Sequence, residues 1–217
     1  MSSTLQLPVA GASWQEWHRF GGTLAVPDGV HRPSPFSAEL AASLPRLDGK
    51  VVIDGGAGAG LITIAALAAG AEHVIALDLY LDALVATRAN VGDVLGPEAE
   101  RRVSLLRTDF RMLRLVNADV LVANPPQRPT ALLEGLTPGE RALHGGAGPT
   151  GLGAIQLLLD HSGVSEIWTT AAGLLDIDSL DLGDWTREFI TSAHVPMDPV
   201  WKTLGDDDRV TIWRFSR

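Results

Sequence analysis

The chain has 217 residues, 46% apolar and 20% charged, which supports one globular domain with a real core and excludes wholesale disorder. The absence of cysteine removes disulfide frameworks, cysteine-ligated zinc, iron–sulfur clusters and thiol nucleophiles. With 26 acidic against 17 basic residues the net charge is −9, a poor match for a phosphate backbone, so nucleic acid is not an expected partner. The N-terminal segment has neither a basic leader nor an apolar core of signal length. The most apolar stretch, residues 61–71, is too short to span a bilayer. The expectation is a soluble, cytoplasmic protein without a membrane partner, its oligomeric state open.

Residues 1–12 are small and polar and are expected to fray. Ser13, with Glu16 three positions on, is a capping-box signal for a short helix that Gly21-Gly22 stops. Trp14 and Trp17 on that helix are read first as packing residues and second as a lid. Leu24-Ala25-Val26 reads as a short strand ended by the turn Pro27-Asp28-Gly29. A proline-rich loop over 31–35 leads to a helix over 37–44, with Phe36, Leu40 and Leu44 on one face.

From Lys50 the rhythm changes. Strands are predicted over 50–54, 73–78, 103–106, 118–123 and 165–170, with helices over 61–69, 81–91 and 151–161. This alternation implies parallel strands joined by right-handed crossovers, an open, doubly wound α/β sheet. Residues 185–192 read as a weak helix. Residues 195–202 and 209–215 read as a closing antiparallel pair around Asp206-Asp207-Asp208, which makes the C-terminal strand an antiparallel edge. The expected division is an N-terminal extension with lid-like helices, 1–45, and a ligand-binding domain, 46–217.

The strongest local signal is Asp54-Gly55-Gly56-Ala57-Gly58-Ala59-Gly60 at a strand end. Ligands bind there in open α/β sheets, and glycine lets the backbone approach them. The loop fits neither G-x-G-x-x-G nor a P-loop, since Leu61 and Thr63 stand where further glycines are needed and no Lys-Ser/Thr follows. Its spacing is Asp-x-Gly-x-Gly-x-Gly on Asp54, Gly56, Gly58 and Gly60. A second acid, Asp78, ends the next strand, followed by Leu79. The third strand leads to Asp109-Phe110, and the fourth ends in Asn124-Pro125-Pro126-Gln127. The two prolines stiffen that turn and expose the Asn124 amide and the Pro125 carbonyl.

In these motifs the chain resembles the class I S-adenosylmethionine-dependent methyltransferases. The resemblance implies a mostly parallel, seven-stranded, Rossmann-like sheet and S-adenosyl-L-methionine as cofactor. It implies that Asp54 and the glycine loop hold the cofactor's amino-acid part, that Asp78 accepts its ribose hydroxyls, and that Leu79, Asp109 and Phe110 line the adenine slot. It places Asn124, Pro125 and residue 127 at the reaction centre, with Asn124 also beside the cofactor. Within the class, Asn-Pro-Pro together with Phe20-Gly21-Gly22 and Gly145-Gly146-Ala147-Gly148 is similar to the protein-glutamine N5-methyltransferases, over about 20–164. Those enzymes carry an aromatic where Gln127 stands, and a helical docking domain in front that is not seen here. The expected acceptor is therefore a nitrogen or oxygen of a small molecule, in a biosynthetic setting, and not a protein or DNA. Two alternatives use the same site: cyclisation of the cofactor itself to azetidine-2-carboxylate and methylthioadenosine, and a non-catalytic cofactor-binding subunit. The six histidines are scattered without metal-ligand spacing; His18 and His31, in the N-terminal segment, are candidate general bases.

Overall fold

The computed structural model describes residues 6–217. The elements are α1 (Trp14–Gly21), α2 (Pro35–Ser43), β1 (Val51–Gly55), α3 (Leu61–Ala68), β2 (His73–Asp78), α4 (Leu81–Leu95), α5 (Pro97–Glu100), β3 (Val103–Arg107), β4 (Val120–Ala123), α6 (Pro138–His144), α7 (Gly153–His161), β5 (Glu166–Ala172), β6 (Thr186–His194) and β7 (Arg209–Ser216). The strands form one seven-stranded sheet in the order β3-β2-β1-β4-β5-β7-β6. The first five pair in parallel, and β7 runs antiparallel to both β5 and β6.

Side chains of successive strand residues enter opposite core layers, as the pleat requires. Val52, Val74, Val120 and Val122 pack with α1 to α4, whereas Ile53, Leu77, Leu121 and Ile167 pack with α7 and the C-terminal loops. Burial of β1, β4 and β5 on both faces accounts for the nearly continuous apolar runs in their sequences.

The capping box forms as the sequence predicts: the Ser13 N–H donates to Glu16 Oε2 at 2.8 Å and the Glu16 N–H to Ser13 Oγ at 3.4 Å. Trp17 is buried edge-on to Phe20, in agreement with packing. Five expectations fail. The fraying prediction covers residues 1–12; residues 1–5 lie outside the described residues, but beyond them Leu7 and Ala12 pack on the core. Residues 24–26 are not a strand. Their backbone is held by a side chain: Asn90 Nδ2 donates to the Ala25 carbonyl and Asn90 Oδ1 accepts the Ala25 N–H, both at 2.9 Å. The weak helix over 185–192 is the edge strand β6, whose bulge between Phe189 and Thr191 breaks the two-residue period. The apolar and polar residues of 195–202 form a loop and a 3₁₀ turn (Pro199–Thr203), because β7 has already paired with β6. The C-terminal strand is thus not the edge; it inserts between β5 and β6.

Asn90, on α4, also donates to the Ala59 carbonyl at 2.9 Å, so one buried amide ties the N-terminal segment to the glycine loop. Asn90→Leu is expected to strand these backbone groups and to destabilise the fold by about 1–3 kcal/mol, measured by urea unfolding.

Candidate functional site

The parallel register fixes where the functional groups emerge. Gly55 of β1 pairs with Leu77 of β2 and with Ala123 of β4. Gly56, Asp78 and Asn124 therefore leave the sheet along one edge, the carboxyl edge where open α/β sheets bind ligands. Asp78 pairs with Arg107 of β3, which brings Asp109 and Phe110 to the same edge. A cavity of about 470 Å³ opens there, within the usual range for small-ligand sites. Gly56, Gly58, Asp78, Leu79, Asp109, Phe110, Asn124, Pro125 and Gln127 line it.

Two sequence-predicted residues do not reach the cavity wall. Asp54 is 1% exposed and accepts a hydrogen bond from Thr63 Oγ1 of α3 at 2.6 Å. Gly60 is buried against α4, where a Cβ would lie 3.0 Å from the Thr87 Cα. Its φ of 88° starts α3, so its glycine serves a turn and a helix contact.

The wiring of the loop bears on the class of ligand. The Gly56 and Ala57 N–H groups both donate to the Leu77 carbonyl, at 2.8 and 2.9 Å, and the Gly60 N–H donates to the Ala57 carbonyl at 2.8 Å. The Gly58 N–H donates to Asp78 Oδ2 at 3.0 Å. Four amides of the loop, those of Gly56, Ala57, Gly58 and Gly60, are thus bonded internally, and a carboxylate stands beside them. The arrangement suits a ligand with hydroxyl groups and positive charge and opposes an anionic one. Asp78 Oδ1 accepts the Tyr80 N–H at 3.0 Å, so each carboxylate oxygen holds one protein bond and keeps acceptor capacity toward the cavity. Asp109 caps the 3₁₀ turn Phe110–Leu115 through the Arg111 N–H at 2.7 Å. The Phe110 ring lies against Gly55 and Gly56; a Cβ on Gly55 would come within 3.4 Å of it. S-Adenosylmethionine fits this donor set: carboxylates for its ribose and adenine amino groups, apolar walls for its ring, and no phosphate to place.

At the β4 end, Thr170 Oγ1 donates to Asn124 Oδ1 at 2.7 Å, and Asn124 Nδ2 lies 3.4 Å from Ser34 Oγ. Gln127 turns inward. Its Nε2 donates to Thr170 Oγ1 at 2.6 Å and to the Thr170 carbonyl at 3.1 Å, and its Oε1 accepts the Ala172 N–H at 2.9 Å. Position 127 therefore braces β5. The glycines of the segment after α6 serve the same turn: a Cβ on Gly146 would lie 2.8 Å from the Gln127 Cα, and one on Gly151 would lie 2.2 Å from the Gln127 carbonyl oxygen.

Several lining residues were not foreseen. Ser34, the N-cap of α2, reaches Asn124 from the N-terminal segment. His144 ends α6, Arg128 follows the proline turn, and Asp198 and Trp201 come from the loop after β6. The last two were hidden by reading 195–202 as a strand. The others meet only in three dimensions and leave no local signal.

Burial pushes the Asp54 carboxyl up to about 7, opposed by the Thr63 hydrogen bond and reinforced by the neighbouring Asp78 charge. The stability carried by its proton is complete below the ordinary carboxylate pKa and is lost as pH rises to about 7. Asp54→Asn keeps an acceptor for Thr63 and does not titrate. Its stability relative to the wild type is expected to rise between about pH 4 and about pH 7 and to level off above. Paired urea unfolding curves across that range check this, and a constant difference overturns it.

The family described as ribosomal protein L11 methyltransferase (PrmA) matches residues 29–128. A ribosomal protein L11 methyltransferase from Pseudomonas putida (strain GB-1) is 33% identical over 165 residues, 76% of this chain and 52% of that protein. The chain spans about half the length of the curated relatives it matches. Among solved structures, a candidate RNA methyltransferase from Pyrococcus horikoshii aligns with a TM-score of 0.58 at 20% identity, over 94% of this chain and 98% of that one. Precorrin-6y C5,15-methyltransferase from Geobacter metallireducens aligns with a TM-score of 0.53 at 17% identity, over 98% and 100%. The sequence relatives are thus named for ribosomal protein L11, not for the glutamine N5 class that the Asn-Pro-Pro turn resembles. In sequence the chain is similar to S-adenosylmethionine-dependent methyltransferases, and its architecture is the class I fold of those enzymes.

Proposed function

We propose that the chain is an S-adenosylmethionine-dependent methyltransferase whose acceptor is a nitrogen or oxygen presented at Asn124 and Pro125. The observation that carries this reading is the self-bonded glycine loop with Asp78 beside it, which favours a cationic, hydroxyl-bearing ligand. Bound there, S-adenosylmethionine supplies an electrophilic methyl group. Asp78 holds the ribose, Asp109 and Phe110 the adenine, and the loop from Gly56 to Gly58 the amino-acid part. Asp54 supports that loop from behind, through Thr63, rather than by direct contact.

Asn124 and Pro125 orient the acceptor. Thr170 fixes the Asn124 amide, which leaves Nδ2 a proton beyond the one directed at Ser34. Neither Asn124 nor the Pro125 carbonyl is a strong base, so their contribution is alignment. A small acceptor agrees with a cavity walled by 29–37, 142–147 and 196–201. A second reading, ribosomal protein L11 as acceptor, is favoured by the names of the relatives. Mass spectrometry decides among them. S-Adenosylhomocysteine formed with L11 supports the protein acceptor, and formed with a small-molecule extract the small one. Methylthioadenosine from the cofactor alone instead marks cyclisation.

Asp78→Ala is expected to weaken S-adenosylhomocysteine binding by about 1.5–3 kcal/mol, the scale of lost charged hydrogen bonds; unchanged affinity in calorimetry sinks the cofactor assignment. Asn124→Ala is expected to slow turnover by tens- to hundreds-fold, about 2–3 kcal/mol, with cofactor affinity within a few-fold of wild type. Normal turnover in that variant makes the proline turn merely structural.

A further inference from the structure

The wall of the cavity carries two histidines that the reading above leaves without a task. His31 and His144 both line it, and their rings meet edge to face with centroids 5.5 Å apart. The chain brings them together by two separate devices. The His31 carbonyl lies against the glycine loop, where a Cβ on Gly58 would be 3.4 Å away, and three residues later Ser34 approaches Asn124. His31 is thereby strung between the loop and the proline turn. His144 is placed by a backbone bridge: the Arg128 N–H donates to the His144 carbonyl at 2.8 Å, and the Gly146 N–H to the Arg128 carbonyl at 2.9 Å. Arg128 in turn is paired with Asp198 at 2.7 Å.

We propose that His31 is the catalytic base that takes the proton of the acceptor, and that His144 passes this proton to solvent. The inference rests on the methyltransferase reading above. It narrows the acceptor to a group that carries its proton into the site, an amine or a hydroxyl, since a carboxylate needs no base. As the acceptor's lone pair forms the bond to the methyl carbon, the carbon–sulfur pair returns to sulfur. The proton on the acceptor nitrogen or oxygen moves to the free ring nitrogen of His31.

The surroundings hold His31 in the form a base requires. Burial, then the His144 and Arg128 charges, keep its imidazole below the usual histidine range, against a hydrogen bond with the Arg32 backbone. At neutral pH it is uncharged and able to accept. His144 is lowered by burial and by Arg128, while Asp198 and Glu140 pull it back up. A proton handed from His31 to His144 therefore moves toward carboxylates.

The test uses S-adenosylhomocysteine and sinefungin, an analogue with an amine in place of the methylsulfonium. Nitrogen NMR of the imidazoles is recorded for each complex, in wild type and in His144→Asn. The His31 ring nitrogens are expected to differ between the two complexes, to titrate below the ordinary histidine range, and to move up in His144→Asn. Identical His31 signals in both complexes, or a charged His31 at neutral pH, overturn the proposal. If neither compound binds by calorimetry, the cofactor reading falls and the proposal with it. In turnover with L11 or the small-molecule extract, His31→Asn is expected to lose about 10²–10⁴-fold in rate, with cofactor affinity within a few-fold. It also loses the acid limb of the pH profile, and added imidazole restores part of the rate. A wild-type rate and profile in His31→Asn overturn the proposal while leaving the methyltransferase reading intact.

Discussion

The hydrogen bond from the Gly58 N–H to Asp78 Oδ2 ties the first crossover of the sheet to its neighbour and decides what the crevice can hold. A glycine loop ahead of a helix is by default an anion site, because its amides point outward and the helix dipole adds to them. Here β2 takes three of those amides for itself, two on the Leu77 carbonyl and one on the Asp78 side chain. What remains exposed is a carboxylate edge over a backbone of left-handed glycines. The same geometry that closes the loop therefore turns a phosphate cradle into a site for hydroxyl groups and positive charge.

That loop also needs support from outside the strands. Thr87 Oγ1 donates to the Gly58 carbonyl at 3.1 Å and Asn90 Nδ2 to the Ala59 carbonyl at 2.9 Å, both from α4. Asp54 and Thr63 join β1 to α3 beneath it. The loop is thus gripped from two helices and a strand, and its glycines adopt φ values of 79, 55 and 88° without the steric cost that a Cβ would bring. Asn90 extends this grip to Ala25, so that the N-terminal segment carrying His31 and Ser34 rests on the same frame as the loop.

The residues from Lys50 to Ala123 were legible because the central strands β1 and β4 are buried along both faces and the glycine loop and the proline turn stand at their ends. Periodicity and punctuation then agree, and Asp78, Asp109 and Asn124 fall at the carboxyl edge by counting alone. The C-terminal third was less legible for physical reasons. β6 is an edge strand, exposed along one side, charged at Arg187 and Glu188, and bulged at Phe189. Its pairing with β7 is stabilised by contacts across strands, Arg187 over the Trp213 ring at 5.1 Å and Phe189 edge-on to it at 5.4 Å. Neither contact has a local signature. The partnerships of His31 with His144 and of Arg128 with Asp198 join segments that are remote in the chain, so motif spacing is blind to them.

The division of the cavity follows the same line. Its cofactor wall lies within residues 29–128, the span shared with the L11 methyltransferase family, whereas 142–147 and 196–201 lie outside that span. His144, Asp198 and Trp201 thus lie beyond the span matched by that family, whereas His31, Ser34, Asn124 and Pro125 lie within it. Gln127 sharpens the point. An aromatic there would offer a flat surface to a planar amide or base, but the amide of Gln127 is consumed by Thr170 and Ala172 and shows the cavity no π face. With no stacking at that position, the proposed reading leaves orientation of the acceptor to the Asn124 amide and to the Pro125 carbonyl as an acceptor. On the proposed reading, a site that aligns by hydrogen bonds and carries His31 and His144 on its wall is better matched to a group that must lose a proton than to one that must be held flat.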